Sequence, residues 1–348
     1  MNPRYCTREQ VKSALDFMET ARANSAIDGA IDNATLSVES QLHRKFWPWS
    51  GTRYFDWPIG RPVSVPWRLW LYQHEAISIS QLVAGGVTIP QANYLLEPVN
   101  DGPPYDRIEI NLSTNSAFAA GPTYQRAVAA IGVFGYTAET EPAGALAEAL
   151  DLTETGADVT DSGIIGVGDS LLIEAERMLV TGKAMLDTGQ TISADLAASA
   201  AGVTVGIQTG SAVAVGEIVL VDSERMLVVD QAGNNLTVKR AFDGSVLATH
   251  TTGAHVYAPR TLTVVRATQG TVAAAHNNGT AIAKGVIPGP ARELATAEAL
   301  NTLLQKQSGY ARVVGTGDNI REFFGRGLFD IRAQAYASHG RKARGRAV

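Results

Sequence analysis

Residues 167–180 read VGDSLLIEAERMLV and residues 215–228 read VGEIVLVDSERMLV, one pattern repeated at an offset of 48. Residues 236–257 read LTVKRAFDGSVLATHTTGAHVY and residues 262–283 read LTVVRATQGTVAAAHNNGTAIA, a second repeat at an offset of 26. A tandem array keeps one offset, so two offsets call for nesting. One module spans 145–184 and resumes at 261–284, and a complete second copy, 190–260, sits in a loop of the first. SLLIEA, RMLVT, IVLVDS, RMLVV and LTVVR have the alternation and β-branching of short strands. Gly244, Gly253, Gly270 and Gly279 mark turns.

Working outward, the flanks follow different periods. Thr7 and Gln10 form a capping box ahead of Val11, Ala14, Leu15 and Met18, which predicts a helix over 7–20. Ile27, Ile31, Ala34, Val38, Leu42 and Phe46 predict a second over 25–47, stopped by Pro48. From Thr52 to Tyr136 short β-rich runs alternate with Gly85-Gly86 and Asp101-Gly102-Pro103-Pro104, an antiparallel pattern. Pro290, Leu294, Ala297, Leu300 and Leu304 predict a third helix over 290–308, and this stripe needs the first two helices to bury it. The expected fold is α+β. It comprises a helical bundle with a small antiparallel sheet (1–140), an inserted all-β region of two nested modules (141–289), and a C-terminal helix with an extended arm (290–348). Leu328, Phe329 and Ile331 lie in a Gly-broken stretch of that arm and are expected to find burial on a neighbour.

Composition narrows the function. The chain has 348 residues, 45% hydrophobic and 18% charged, with a net charge of −5, which excludes a disordered polar chain. No apolar run reaches the ~18 residues of a membrane span, and MNPRYCTREQ lacks the apolar core of an export signal. Cys6 is the sole cysteine, so no intramolecular disulfide or cysteine-based zinc site is possible. The charge is segregated: net −2 over 1–140, −8 over 141–289 and +5 over 290–348.

No catalytic residue, cofactor or metal is expected. Gly168-Asp169-Ser170-Leu171 spells a hydrolase motif, but the repeat puts Ile218 opposite Ser170 and no Asp-x-x-His follows, so Ser170 reads as a strand position. His250 and His276 occupy matched positions without a neighbouring metal-ligand pair and read as turn or core packing. Glu176-Arg177 and Glu224-Arg225 read as local ion pairs or strand-face hydrogen bonds. The tryptophans from Trp47 to Trp70, flanked by prolines, read as a sheet corner or a subunit contact, with stacking on bases or sugars as the alternative. Arg341, Lys342, Arg344 and Arg346 suit an acidic protein surface, DNA, or a solvated tail.

AIDNATLSVESQLHRKFWP, then TRYFDWP, a sheet ending in AVAAIGVFGY, and a late helix with an arm resemble the head-tail connector (adaptor) proteins of long-tailed double-stranded DNA phages, over 1–140 and 290–348. The middle modules resemble β units that recur in phage virion proteins. The resemblance implies a virion protein of the neck, assembled in the host cytoplasm. It implies a ring of twelve copies between the portal protein and a stopper or tail-completion protein, around a channel through which DNA passes without sequence-specific binding. Phe323, Phe324, Phe329, Arg341, Lys342, Arg344 and Arg346 would then meet the portal or a neighbouring subunit. The alternative is a tail or baseplate protein whose β modules bind a host surface or carbohydrate.

Overall fold

The computed structural model describes residues 2–14, 24–58, 65–307, 313–314, 321–322 and 326–341. Four helices, α1 (Arg8–Ala14), α2 (Asn24–Leu42), α3 (Gly289–Gln307) and α4 (Arg326–His339), accompany antiparallel sheets of four, three and ten strands and a two-stranded pair at 313–314 and 321–322. The fold is mixed α+β and mostly β. The expected bundle with a small sheet therefore gives way to sheets that dominate, because the strand-forming stretch 49–134 and the modules each close their own cores.

The helices share one core. Val11, Ile27, Ile31, Val38 and Leu42 meet Ala291, Leu294, Ala295 and Leu303 across about 250 residues of chain, with α2 packed chiefly on α3. Thr7 and Gln10 form the reciprocal cap of α1, Thr7 N–H to Gln10 Oε1 at 3.0 Å and Gln10 N–H to Thr7 Oγ1 at 3.2 Å. Two sequence expectations change here. α2 ends at Leu42, where His43 turns left-handed (φ 53°); Phe46 still reaches the core, from the strap beyond the helix. The segment expected as an extended arm is helical over 326–339. Leu328, Ile331 and Ala335 stand three and four apart and pack on the same core. Arg332 pairs with Glu298 at 2.7 Å, and the Arg341 N–H donates to Leu42 O at 2.9 Å. Gly327 lies in the first turn of α4 instead of breaking it.

A second core lies between the sheets ordered β1 (Trp49–Phe55), β7 (Val128–Phe134), β3 (Ala76–Ala84), β4 (Val87–Ile89) and β2 (Arg68–Trp70), β6 (Arg107–Ile110), β5 (Tyr94–Glu97). Trp57 donates to Phe118 O at 2.6 Å. Trp70 lies beneath Arg68 and Arg107, 5.6 and 5.3 Å from its ring centre, packing that fits the sheet-corner reading.

The ten-stranded sheet explains the two offsets. One core draws on 143–180 and 262–282, a separate one on 192–256. β11 (Glu176–Thr191) and β16 (His255–Val265) run through both. Their partners at one end, Leu179–Val265 to Ala184–Thr261, form a hairpin of the outer module; at the other, Leu186–Ala258 to Thr191–His255, they are the first and last strands of the inner one. The outer module's own first and last strands, β8 (Thr140–Ala145) and β17 (Ala281–Gly285), pair the same way. β10 (Ser170–Ile173) adds to β17 as β13 (Ile218–Val221) adds to β16, with Leu172–Ala283 matching Leu220–Tyr257. In the inner module the hairpin of β14 (Glu224–Ala232) and β15 (Asn235–Lys239) closes in a tight turn at Gly233, φ +60°. The inner copy thus replaces the turn of a hairpin. Two adjacent antiparallel strands meet two adjacent antiparallel strands, and no new loop has to be closed.

Candidate functional site

Each module is locked by one buried constellation. The two-residue turns at Glu174-Ala175 and Asp222-Ser223 place left-handed residues (φ 52° and 51°) at their first positions, and the glutamate that follows each turn points inward. Glu224 receives Arg240 through two parallel bonds, Nε to Oε1 at 2.6 Å and Nη2 to Oε2 at 2.7 Å. The Ala241 and Ala248 N–H groups donate to it at 2.9 and 3.0 Å. His250 Nε2 lies 2.9 Å from Glu224 and its Nδ1 2.7 Å from Asp222. Glu176, Arg266, Ala267, Ala274, His276 and Glu174 repeat every one of these contacts in the outer module, with Arg266 at 2.8 and 2.7 Å. Burial alone would raise the Glu176 and Glu224 carboxyls; the arginine, the backbone N–H groups and the histidine outweigh it and hold both at about 2. A carboxylate so completely donated to has no lone pair to spare for substrate or metal, and its work here is to tie hairpin, strand and loop together.

Sequence reasoning left each glutamate either a local ion pair with its neighbouring arginine, Arg177 or Arg225, or a strand-face hydrogen bond, and the local ion pair does not form. Successive strand residues point to opposite faces, so that pairing is sterically excluded; the partner is the arginine of the LTVxR strand, retained in both copies. His250 and His276 are buried in these clusters. Ser170 sits in β10 and donates to Gln269 Oε1.

The modules are attached by equivalent surfaces. The outer turn at 166–169 docks on the N-terminal segment: the Arg4 and Arg8 N–H groups donate to Gly168 O and Val167 O, both at 3.1 Å, and the Val167 N–H to Glu9 at 2.8 Å. The inner turn at 214–217 docks on the outer module, where Glu217 takes Ser162 at 3.0 Å and also Arg260, at the boundary of the two modules on β16, at 2.7 Å. The loops after LTVxR also match. Gln269 holds the strap, with the Ser50 N–H to Gln269 O at 2.8 Å and Gln269 Nε2 to Pro48 O at 2.9 Å, whereas Asp243 holds Lys12 of α1 at 3.0 Å and Arg225 at 3.0 Å.

Of the residues expected to meet partners, Phe329 is 71% exposed on α4, and Arg341 follows the helix against α2 through its backbone. Phe323, Phe324, Lys342, Arg344 and Arg346 lie outside the described residues. Phe329, Ala333, Tyr336 and Ala337 form an exposed stripe opposite the half-buried Leu328 and Ile331 and the buried Ala335. That second stripe was readable from the i, i+4, i+7, i+8 spacing once the segment is taken as a helix. Among the described residues no group of three or more His, Cys, Asp or Glu is arranged to hold a metal, and no helix is long and apolar enough to cross a membrane. Comparison of the chain with protein-family models, curated proteins and solved structures finds no match.

Proposed function

We propose that this chain is a structural assembly protein, a head-tail adaptor that forms a ring between portal and downstream neck proteins around the DNA channel. The observation that carries the reading is the two-sided α4. One face fills the subunit's core, and the other presents Phe329, Ala333, Tyr336 and Ala337 to solvent. A ring of identical copies needs a heterologous contact, one surface of each subunit against a different surface of the next. The occupant of this stripe is the neighbouring copy. The charge segregation supports that choice, since a basic C-terminal region (+5) and an acidic insertion (−8) in one chain attract between copies. The modules leave the helical unit through the adjacent strands 140–145 and 281–285, which suits an insertion carried on the outside of the ring and clear of DNA.

Phe329→Asp tests it. Because the side chain is exposed, subunit stability should change by no more than about 0.5 kcal/mol, while ring formation and joining of heads to tails are abolished. Rings and joined particles of ordinary yield from this variant would remove the α4 contact. Electron microscopy of the protein in particles completes the test: density at the neck fits the proposal, whereas density at the tail tip favours a host-binding role for the β modules.

A further inference from the structure

One arginine of the two-sheet unit is fixed in place and given no partner. Trp49, Gly51 and Arg53 lie on one face of β1. A Cβ on Gly51 would stand 2.3 Å from the Trp49 ring, so the ring folds across the glycine. It carries the Arg53 guanidinium 4.1 Å from its centre, with the Phe134 ring centre 5.7 Å away. The stack sets the plane of the guanidinium fork. Arg53 Nε is shut off from water and meets no acceptor, and among the described residues no hydrogen bond or ion pair engages this side chain. The surroundings are cationic. Burial lowers the His74 pKa first, and the charges of Arg53, Arg341 and Lys45 lower it further. The carboxylates closest in sequence are spent, Glu75 on Arg44 at 2.9 Å and Asp56 on the Arg126 N–H at 2.9 Å.

Other arginines of the chain show what such an edge takes. Arg240, Arg266 and Arg260 each turn Nε and Nη2 together onto a glutamate, at 2.6 to 2.8 Å. A carboxylate matches that fork with two parallel bonds. The place of Arg53 says where one could come from. Arg341, whose charge reaches the same notch, directly follows α4. The exposed stripe of α4 begins at Phe329, about 18 Å away at 1.5 Å per residue, a span that one interface of ordinary size covers. The acidic part of the chain is the insertion, net −8 over 141–289. Resting on the ring reading above, we propose that Arg53, flanked by Lys45, His74 and Arg341, receives a carboxylate from the 141–289 insertion of the neighbouring copy, as a second contact of the interface that covers α4.

The test uses the full chain, with assembly followed by sedimentation velocity beside thermal unfolding of the subunit. Arg53→Gln removes a charge that the lone subunit leaves unpaired, so Tm should hold or rise, while the affinity of copy for copy falls roughly 30-fold. Electron microscopy of the wild-type ring, which needs no variant to fold, should show a carboxylate of the neighbour's insertion within hydrogen-bond distance of Arg53 Nε. A carboxylate of the same chain, a DNA phosphate or an empty notch in that ring overturns the proposal. So does an Arg53→Gln chain that assembles with wild-type affinity. If that chain assembles while Phe329→Asp does not, the notch contact fails and the ring stands; wild-type chains that never associate overturn both.

Discussion

Position for position, Glu224, Arg240 and His250 of the inner module correspond to Glu176, Arg266 and His276 of the outer, bond for bond, yet Asp243 corresponds to Gln269 and Glu217 to Asp169. The carboxyls of that last pair are driven in opposite directions. Burial would raise Glu217, but Arg260 and three N–H or O–H donors hold it below its ordinary range. Asp169, with one backbone donor, is carried up to about 6 by burial against the pull of Lys284. The interior constellation defines the module and has stayed fixed. The rim answers to whatever the module is docked on, and there the copies have diverged.

The largest effect that would break this comparison comes from the constellations. Glu224→Ala or Glu176→Ala leaves an arginine buried beside an empty place, and each should cost its module about 3–5 kcal/mol, read as early loss of amide-exchange protection confined to that module. If only one of the two variants is destabilised, the clusters are not equivalent. Acid makes the same point without mutation. Both carboxyls lie at about 2 in the fold against an ordinary 4.5, so the unfolded chain binds protons more readily. Their contribution is complete above pH 4.5 and is lost as pH falls toward 2. Circular dichroism across that window should show both modules weakening together, while Glu→Gln variants, already destabilised, lose less.

A smaller effect sharpens the difference at the rim. Gly270 and Gly279 both have φ +78°, but a Cβ on Gly270 would stand 1.9 Å from Ser50 O, while one on Gly279 meets nothing within 4 Å. Gly279→Ala therefore carries backbone strain alone, about 1–2 kcal/mol. Gly270→Ala should add about 1–3 kcal/mol of overpacking and loosen the outer module from the strap, read as new protease sensitivity near residues 48–50. Equal costs for the two would mean that the docking contact is absent in solution.

The smallest expected effect comes from the largest alteration. Joining Ala184 to Thr261, which are paired across the sheet, through an Asn-Gly turn removes the inner module at a point where a two-residue hairpin loop fits. The outer module should keep its unfolding midpoint to within about 1 kcal/mol, the worth of the few hydrogen bonds lost. Collapse of the outer module would mean that the two fold as one unit.

The sequence carried the parts of this molecule that repeat or have a clear period. The offsets of 48 and 26 located both modules, and the stripes of α2 and α3 located the helical core. What it hid depended on partners distant in the chain. A local pair of Glu176 with Arg177 was one reading because the two adjoin, and the strand pleat separates them; the match of Arg240 with Arg266 was in plain view but carried no sign of where either side chain pointed. α4 was hidden by glycines that read as breakers although Leu328, Ile331 and Ala335 kept helical spacing. Phe46 kept the phase of α2 after the helix had stopped, since core residues can be delivered by a strap as well as by a turn of helix.

The two long strands that pass from the outer module into the inner one also set how such a chain can grow. A duplication whose ends fall at a hairpin turn inherits a matched entrance and exit, so the ancestral gene could lengthen in one step without disturbing anything upstream. The inner module still carries its own tight turn at Gly233-Asn234. Copy number is thus open to selection at a hairpin turn, while the helices, whose shared core lies outside the two modules, stay in register with one another.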